Sequence, residues 1–477
     1  MDEVKALKKV KANLLPLVSN INLPTVLKTA ILPGDIIERL FIATQVGEIF
    51  YIGNGNIETF LDIRSRIIEL GASSGGYDER GLLGLAFHPE FSYNGLFYLH
   101  YSVARTQGPG ALSGSFEPNP CIPATLNLKW INRETQYDHI DTVEEWVLQS
   151  DGQHLKRRTF LNIKRPFLNH NGVNSLNFSP ETGNLVLTTG DGGSGYDPFN
   201  LSQDDMEIAG KIIEIDVSKN TFYENPPVAT RLNELPPSIQ EALTVTAKGV
   251  RNIPGISFQR LYDQYVKYVG NVGQDLTESI FSFVNYKPIP VTELVQSSLM
   301  ENEPDEEGFV NLGWRGWEGD FPTSIIRSCS ANPTLNEKIF AYYDEAVETS
   351  VQRLPPLISY FHEDPRPGKF GATSLTGVQP YMGSEIPDLT GKIVFTDLAR
   401  DDGSLPPVKG VLAYTGPRED CGLNDFSVIE TGYDFGSESA YYVSLGTNLD
   451  QTKLFLGVYG STRVTDRNHG TVFEIVP

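Results

Sequence analysis

The residues best suited to chemistry sit in short turns rich in glycine and asparagine. His170 lies in Asn169-His170-Asn171-Gly172, and histidine is the side chain whose ordinary pKa lets it exchange protons near neutral pH. Asp191 and Asp197 bracket Asp191-Gly192-Gly193-Ser194-Gly195-Tyr196-Asp197, two carboxylates at a spacing suited to a hard cation. That loop lacks the full calcium pattern and its distal bidentate Glu, which leaves a tight turn as the reading and a structural ion as the alternative. Arg251 and Asn252 stand together, and a guanidinium can stabilise developing oxyanion charge or close a strand end by a salt bridge. Trp314 and Trp317 can stack on a flat ring or a sugar, or fill core between sheets. The other histidines, His88, His100, His139, His154, His362 and His469, show no ligand spacing. Cys121, Cys329 and Cys421 lie too far apart for a zinc pattern.

These turns interrupt short runs rich in β-branched and aromatic residues, such as Leu40-Phe41-Ile42-Ala43-Thr44, Leu96-Phe97-Tyr98-Leu99-His100-Tyr101 and Lys392-Ile393-Val394-Phe395-Thr396. Such runs, punctuated by 44 Gly and 31 Pro, predict strands. A repeated phrase (strand, polar turn, second strand) recurs in residues 40–52, 185–217 and 392–414. It predicts an all-β solenoid or propeller rather than a parallel α/β sheet. Helical signals are confined to residues 236–243 and an amphipathic stretch in residues 2–20. Residues 105–125, 219–247 and 287–308 read as insertions, and no linker divides the chain. The expected organisation is an N-terminal extension over residues 1–34 and one domain over residues 35–477. A chain of 477 residues gives a soft prior of about three domains, which a closed all-β architecture overrides.

Hydrophobic residues make up 40% of the chain and charged residues 21%, which excludes disorder over most of its length. With 38 Lys+Arg against 60 Asp+Glu, the net charge is −22. A body this acidic repels phosphate backbones and anionic membrane surfaces, so neither a nucleic acid nor membrane insertion is expected. No run approaches the length of a transmembrane helix, and the N-terminus shows no readable signal peptide.

The segment Asp78-Glu79-Arg80-Gly81-Leu82-Leu83-Gly84-Leu85-Ala86-Phe87-His88-Pro89-Glu90-Phe91, followed by Asn94-Gly95-Leu96-Phe97-Tyr98, resembles the glucose/sorbosone dehydrogenase family. That family includes soluble quinoprotein sugar dehydrogenases and hedgehog-interacting-protein-like proteins. Asn169-His170-Asn171-Gly172, Thr189-Gly190-Asp191-Gly192-Gly193, Gly249-Val250-Arg251-Asn252, Gly270-Asn271-Val272-Gly273-Gln274 and Asn311-Leu312-Gly313-Trp314 follow in family order.

The resemblance implies a six-bladed β-propeller of four-stranded antiparallel blades with loop insertions at the rim. It also implies oxidation of an aldose at its anomeric carbon, with a hydride passing to pyrroloquinoline quinone (PQQ). In that reading His170 takes the hydroxyl proton, and Arg251 and Asn252 face the quinone. The backbone carbonyls of Gly273 and Gln274 hold Ca²⁺. Asn169, Trp314, Thr373 and Arg400 complete the cofactor site, and His88 is structural.

Three positions depart from the family pattern. Met382, in Tyr381-Met382-Gly383, stands where a cation is expected, and a methionine cannot neutralise a quinone carboxylate. The last blade lacks an Arg pair, for which Arg463 and Arg467 are the substitutes at hand. Arg80 stands where relatives carry Gln beside the substrate. These departures support a second reading, a non-catalytic propeller that binds a protein partner through its rim loops. Sugar binding without oxidation, or a lactonase-like hydrolase, is a third. The resemblance implies an extracytoplasmic setting, while the sequence itself leaves the compartment open.

Overall fold

The computed structural model describes residues 7–53, 55–72, 74–104, 130–219, 226–284, 287–299, 310–323, 352–363, 370–371, 373–400, 407–419 and 422–477. The strand-like runs read from the sequence form strands, and consecutive strands pair antiparallel. Pro24–Ile31, Glu38–Thr44, Glu48–Gly53 and Asn56–Asp62 make one meander. Leu82–Phe87, Leu96–Ala104, His139–Leu148 and His154–Arg165 make the next. Leu176–Phe178, Leu185–Thr188, Ile212–Ile215 and Leu243–Lys248 follow, then Ile256–Leu261, Gln264–Asn271, Thr277–Phe283 and Ile358–Phe361. Leu375–Tyr381, Lys392–Asp397, Val411–Thr415 and Phe426–Thr431 form a further meander. Tyr441–Thr447, Leu454–Tyr459 and Gly470–Val476 form the last.

The first strands of these meanders touch in chain order, and the last, Tyr441–Thr447, returns to Pro24–Ile31. Their approach is close. A Cβ on Gly446 would stand 2.5 Å from the Cβ and carbonyl oxygen of Leu27, and one on Gly377 2.6 Å from the Cβ of Leu445. The apolar core is correspondingly divided. One cluster joins Phe41 and Ile49 to Phe97 and Leu99. Others join Tyr98 and Phe160 to Leu187 and Ile213, and Tyr268 and Ile358 to Ile393 and Phe395. Each lies between neighbouring sheets, so burial holds sheet to sheet around a common axis.

Residues 10–31, expected to lie in an extension before the domain, instead supply two strands of it. Val10–Ile21 pairs antiparallel with Gly470–Val476 and parallel with Phe426–Thr431. Val10, Ala12 and Leu14 are buried while Lys11, Asn13 and Leu15 are exposed. This period of two belongs to a strand and corrects the amphipathic helix expected over residues 2–20. The insertion expected over residues 219–247 is also part of the body. Leu232, Leu235 and Ile239 enter the core, and Leu243–Lys248 is a sheet strand. Within it the helix expected over residues 236–243 contracts to Pro237–Gln240. Residues 287–299 carry the helix Val291–Leu299. Residues 105–125 and 300–308 lie outside the described residues. Among the described residues no helix is long and apolar enough to cross a membrane.

Leu14 therefore behaves as a core leucine. Leu14→Ala is expected to cost about 2–4 kcal/mol, read by urea unfolding. An unchanged midpoint would mean that residues 10–21 pack outside the body.

Candidate functional site

At one mouth of the ring, the turns that lead into the first strands converge on His170. Its Nδ1 lies 2.8 Å from Asp191 Oδ1, and its backbone amide donates to Glu79 Oε2 at 2.7 Å. Asp191 is fully enclosed by donors. The Trp314 indole N–H donates to its Oδ2 at 2.8 Å and the Gly193 amide to its Oδ1 at 2.9 Å. The chain passes very close here, since a Cβ on Gly190 would overlap the His170 carbonyl oxygen. His170 itself takes the left-handed conformation, with φ of 58°. The arrangement fixes one ring nitrogen on a carboxylate and leaves Nε2 for another partner, the geometry of an oriented general base.

Arg251 and Asn252 stand opposite. Arg251 Nε and Nη2 donate to Gln274 Oε1 at 3.3 and 3.1 Å, and its guanidinium lies 5.6 Å from the Trp314 ring centre. The Arg251 carbonyl accepts from the Asp191 amide at 2.8 Å, which ties the two halves of the site together. Asn252 Oδ1 accepts from the Gly172 amide at 3.1 Å. Asn169 Oδ1 accepts from the Ser194 amide at 3.0 Å. His170, Asn169, Arg251, Asn252, Gln274 and Trp314, read separately from the sequence, thus form one connected group.

Gly273 and Gln274 begin a loop cradled by buried carboxylates. Glu318 Oε1 accepts from the amides of Gln274, Asp275 and Leu276 at 2.5, 3.0 and 3.1 Å. Its Oε2 is buried without a hydrogen-bond partner. Burial pushes the Glu318 carboxyl up, against the pull of those amides. The Gly273 amide donates to Glu278 Oε1 at 3.3 Å, beside His362 Nε2 at 2.9 Å. Thr373 lies further along the same wall, where its amide and hydroxyl contact Asp397 Oδ1, each at 3.0 Å. Burial, then the nearby Glu278, pushes the Asp397 carboxyl up to about 7. Among the described residues, no group of three or more His, Cys, Asp or Glu side chains is arranged to hold a metal.

Several expected positions are corrected. Trp314 is buried, with its edge on Asp191 and its face toward Arg251. Trp317 packs under Arg353, whose guanidinium is 3.9 Å from its ring centre. Each indole thus has one face taken by a guanidinium. Arg400 is exposed, and its amide donates to the Lys409 carbonyl at 2.9 Å. Met382 follows Leu375–Tyr381, a strand whose other end contacts Glu278, and seven residues at about 3.3 Å each put it roughly 20 Å from that wall. There its Sδ meets Gln259 Nε2, so it removes no cation from this mouth. Arg463 does lie on this side, with its side-chain carbons close to Gly76. Asp191 and Asp197 bond different partners, since Asp197 takes the Leu201 and Ser202 amides at 2.8 and 2.9 Å, the turn rather than the ion.

Arg80 turns away from the mouth. Its Nε and Nη2 donate to Asp78 at 2.8 and 2.7 Å and its Nη1 to Asp138 at 3.0 Å. The neighbouring Glu79 reaches His170 instead. From Asp138 a buried ionic chain continues through His139 (2.8 Å) to Asp141 (3.3 Å) and Arg165 (2.6 Å). Arg165 then donates to the carbonyls of Gly190 and Asn171, at 3.2 and 3.3 Å. Those residues precede Asp191 and follow His170, so Arg165 positions both members of the pair. Glu79, Asp191 as the partner of His170, Glu318 and Arg165 carry no sequence signal of these roles beyond lying in or near turns.

The family model described as Glucose / Sorbosone dehydrogenase matches residues 27–287. The HIPL1 protein of Arabidopsis thaliana is 25% identical over 391 residues, covering 76% of this chain and 49% of that protein. The Hedgehog-interacting protein of Homo sapiens is 28% identical over 194 residues, covering 39% of this chain and 23% of that protein. The chain thus spans about half, or less, of the curated relatives it matches. Among solved structures, the PQQ-bound aldose sugar dehydrogenase of Streptomyces coelicolor superposes with a TM-score of 0.53 at 15% identity, covering 98% of each chain. The apo form of the soluble aldose sugar dehydrogenase of Escherichia coli gives 0.56 at 14% identity, covering 98% of this chain and 100% of that one. At these identities the likeness is one of fold.

Two outcomes test the ionic chain. Arg165→Met leaves Asp141 buried without its guanidinium and is expected to cost roughly 3–5 kcal/mol in urea unfolding. Burial lowers the pKa of His139, and Asp141 and Asp138 more than offset it, so the folded value lies above the ordinary 6.5. Its stabilisation is complete below 6.5 and fades as pH rises through the folded value. The stability gap between the wild type and His139→Gln should therefore narrow as the buffer is raised through that range. A constant gap would show that His139 is neutral when folded.

Proposed function

The chain belongs to the glucose/sorbosone dehydrogenase family, and from that premise we propose that it oxidises an aldose at the anomeric carbon with PQQ as hydride acceptor. The observation that carries this reading is the His170–Asp191 pair, joined through the Trp314 indole to the Arg251 guanidinium. We infer further that the sheets form a six-bladed propeller of four-stranded blades. The six consecutive meanders support this, as does the return of Tyr441–Thr447 to Pro24–Ile31. The strand Val10–Ile21 would then be the fourth strand of the last blade, and residues 10–477 one domain.

The residues present fit the proposed groups. A tricarboxylate quinone needs cations, and Arg251 supplies one, with Arg463 near the rim as a second. The unpartnered Glu318 Oε2 beside the Gly273–Gln274 loop suits a hard cation such as Ca²⁺, which takes oxygen ligands, backbone carbonyls included. When bound, the quinone supplies the two-electron acceptor that no side chain can provide.

The chain's own residues do the rest. His170 accepts the proton of the anomeric hydroxyl at Nε2, since Nδ1 is held on Asp191. The Asp191 carboxylate stabilises the imidazolium that results and keeps the ring aimed. Arg251, held beside Trp314 and Gln274, stabilises negative charge that develops near the base.

A specific observation supports a second reading. The curated relatives are HIPL proteins and hedgehog-interacting proteins, so a propeller that binds a protein partner at its rim remains the alternative. Reconstitution with PQQ and Ca²⁺, followed by calorimetry and a dye-coupled assay over a panel of aldoses, separates the two. Tight cofactor binding with sugar-dependent dye reduction is expected, and His170→Ala should lower kcat by about 10²–10⁴-fold. Full activity in that variant overturns the assignment of the base. Absence of cofactor binding overturns the dehydrogenase reading and leaves the binding module.

A further inference from the structure

At the mouth opposite His170, where the first strands end, the ring encloses a second cavity of about 510 Å³. That volume is typical of a small-molecule site. The chain carries a net charge of −22, yet the described residues lining this cavity include Lys28, Arg260 and His88 and no Asp or Glu. Glu90 and Asp450 directly adjoin lining residues, and Asp450 accepts from Asn448 Nδ2 and Thr452 Oγ1, each at 2.6 Å. Glu38 accepts from the Leu449 amide at 2.7 Å, and Glu181 is paired with Lys267 at 2.8 Å.

Lys28 is the unusual group. It lies on the strand Pro24–Ile31, in register with Phe41 on one side and Thr447 on the other. Its side chain is partly buried, its ammonium makes no hydrogen bond or ion pair with any described residue, and desolvation lowers its pKa to about 8. Two fully buried lysines elsewhere are satisfied. Lys211 donates to the carbonyls of Leu201, Ser202 and Ala209 at 3.0–3.1 Å, and Lys267 pairs with Glu181. Enclosed cations are ordinarily paired because desolvation without a partner is costly. Two further lining residues, Thr29 and Ser257, have buried hydroxyls with no partner. Phe87 and Phe178 supply partly open apolar wall.

We propose that this cavity binds a small organic carboxylate with an aromatic or similarly apolar body. The carboxylate pairs with Lys28, Arg260 strengthens the field at the entrance, and the body lies against Phe87 and Phe178. The site is separate from the His170 mouth and stands whether or not the chain oxidises sugars.

Phenylacetate and phenylacetamide, equal in shape and different in charge, are the probes. Calorimetric titration of the full chain is expected to show saturable phenylacetate binding at one site, with the amide roughly tenfold weaker or more, as a charge-assisted contact requires. Lys28→Met should bring the acid down to the level of the amide, and Lys28→Arg should keep the preference. Arg260→Gln, at an exposed position, should weaken the acid several-fold without affecting folding. Independently of any variant, phenylacetate and not phenylacetamide should slow acetylation of Lys28 by acetic anhydride, read by peptide mass mapping. Failure to bind phenylacetate, equal binding of acid and amide, or unprotected Lys28 overturns the proposal. So does a folded Lys28→Met that retains the preference.

Discussion

The first strands of the sheets pack edge to edge around one axis, and the rest of the molecule depends on that approach. Glycines at 377 and 446 leave room for Leu445 and Leu27 of the adjoining strands. Sheets that touch so closely at their inner edges must splay outward, so their faces are covered only by the neighbouring sheets. That is why the core is a series of inter-sheet clusters rather than one mass. The same geometry brings turns from remote parts of the chain to a common mouth. Glu79, His170, Asp191, Arg251, Gln274 and Glu318 meet there although they span some half of the sequence.

The convergence concentrates charge in a place water barely reaches, and the structure offsets this with backbone donors. Glu318 receives three consecutive amides on one oxygen, and Asp397 receives those of Thr373 and Ser374. Where amides do not suffice, ionic chains take over, as in Asp138–His139–Asp141–Arg165. Replacing one member leaves its neighbours buried and uncompensated, so the chain acts as a unit. Because Arg165 ends on the carbonyls beside His170 and Asp191, the stability of the second meander and the aim of the base are properties of the same contacts.

What the sequence made legible was local. The Asn169-His170-Asn171-Gly172 and Arg251-Asn252 turns, and Gln274, could be read because each matches a short motif of the family that the chain resembles. The pairing of His170 with Asp191, 21 positions apart, could not, since the residues between them make two strands whose register is a matter of packing. Met382 shows the converse difficulty. Its place in a Tyr-x-Gly phrase gives no indication of which end of a strand it occupies, and the structure puts it at the mouth away from the base. The strand Val10–Ile21 was hidden because Leu14, Leu15 and Leu17 crowd its alternation, and its partner lies at the far end of the chain. Arg80 and Glu79 are adjacent, and pattern alone does not choose which one faces the mouth. That depends on Asp138, which draws the guanidinium away.

His170 bears on the choice between enzyme and binding module. A non-glycine residue with φ of 58° costs on the order of 1–2 kcal/mol relative to an ordinary conformation. Glycine would hold this turn without that cost, and asparagine at less. The imidazole is nevertheless enclosed, pinned through Nδ1 to a carboxylate that Trp314 and Gly193 also hold in place. Backbone strain, a buried carboxylate and an oriented ring are three separate costs met at one residue. All of them hold one ring nitrogen in a single direction. A rim used only for docking needs no such arrangement at its centre, which is the physical ground for the proposed proton transfer.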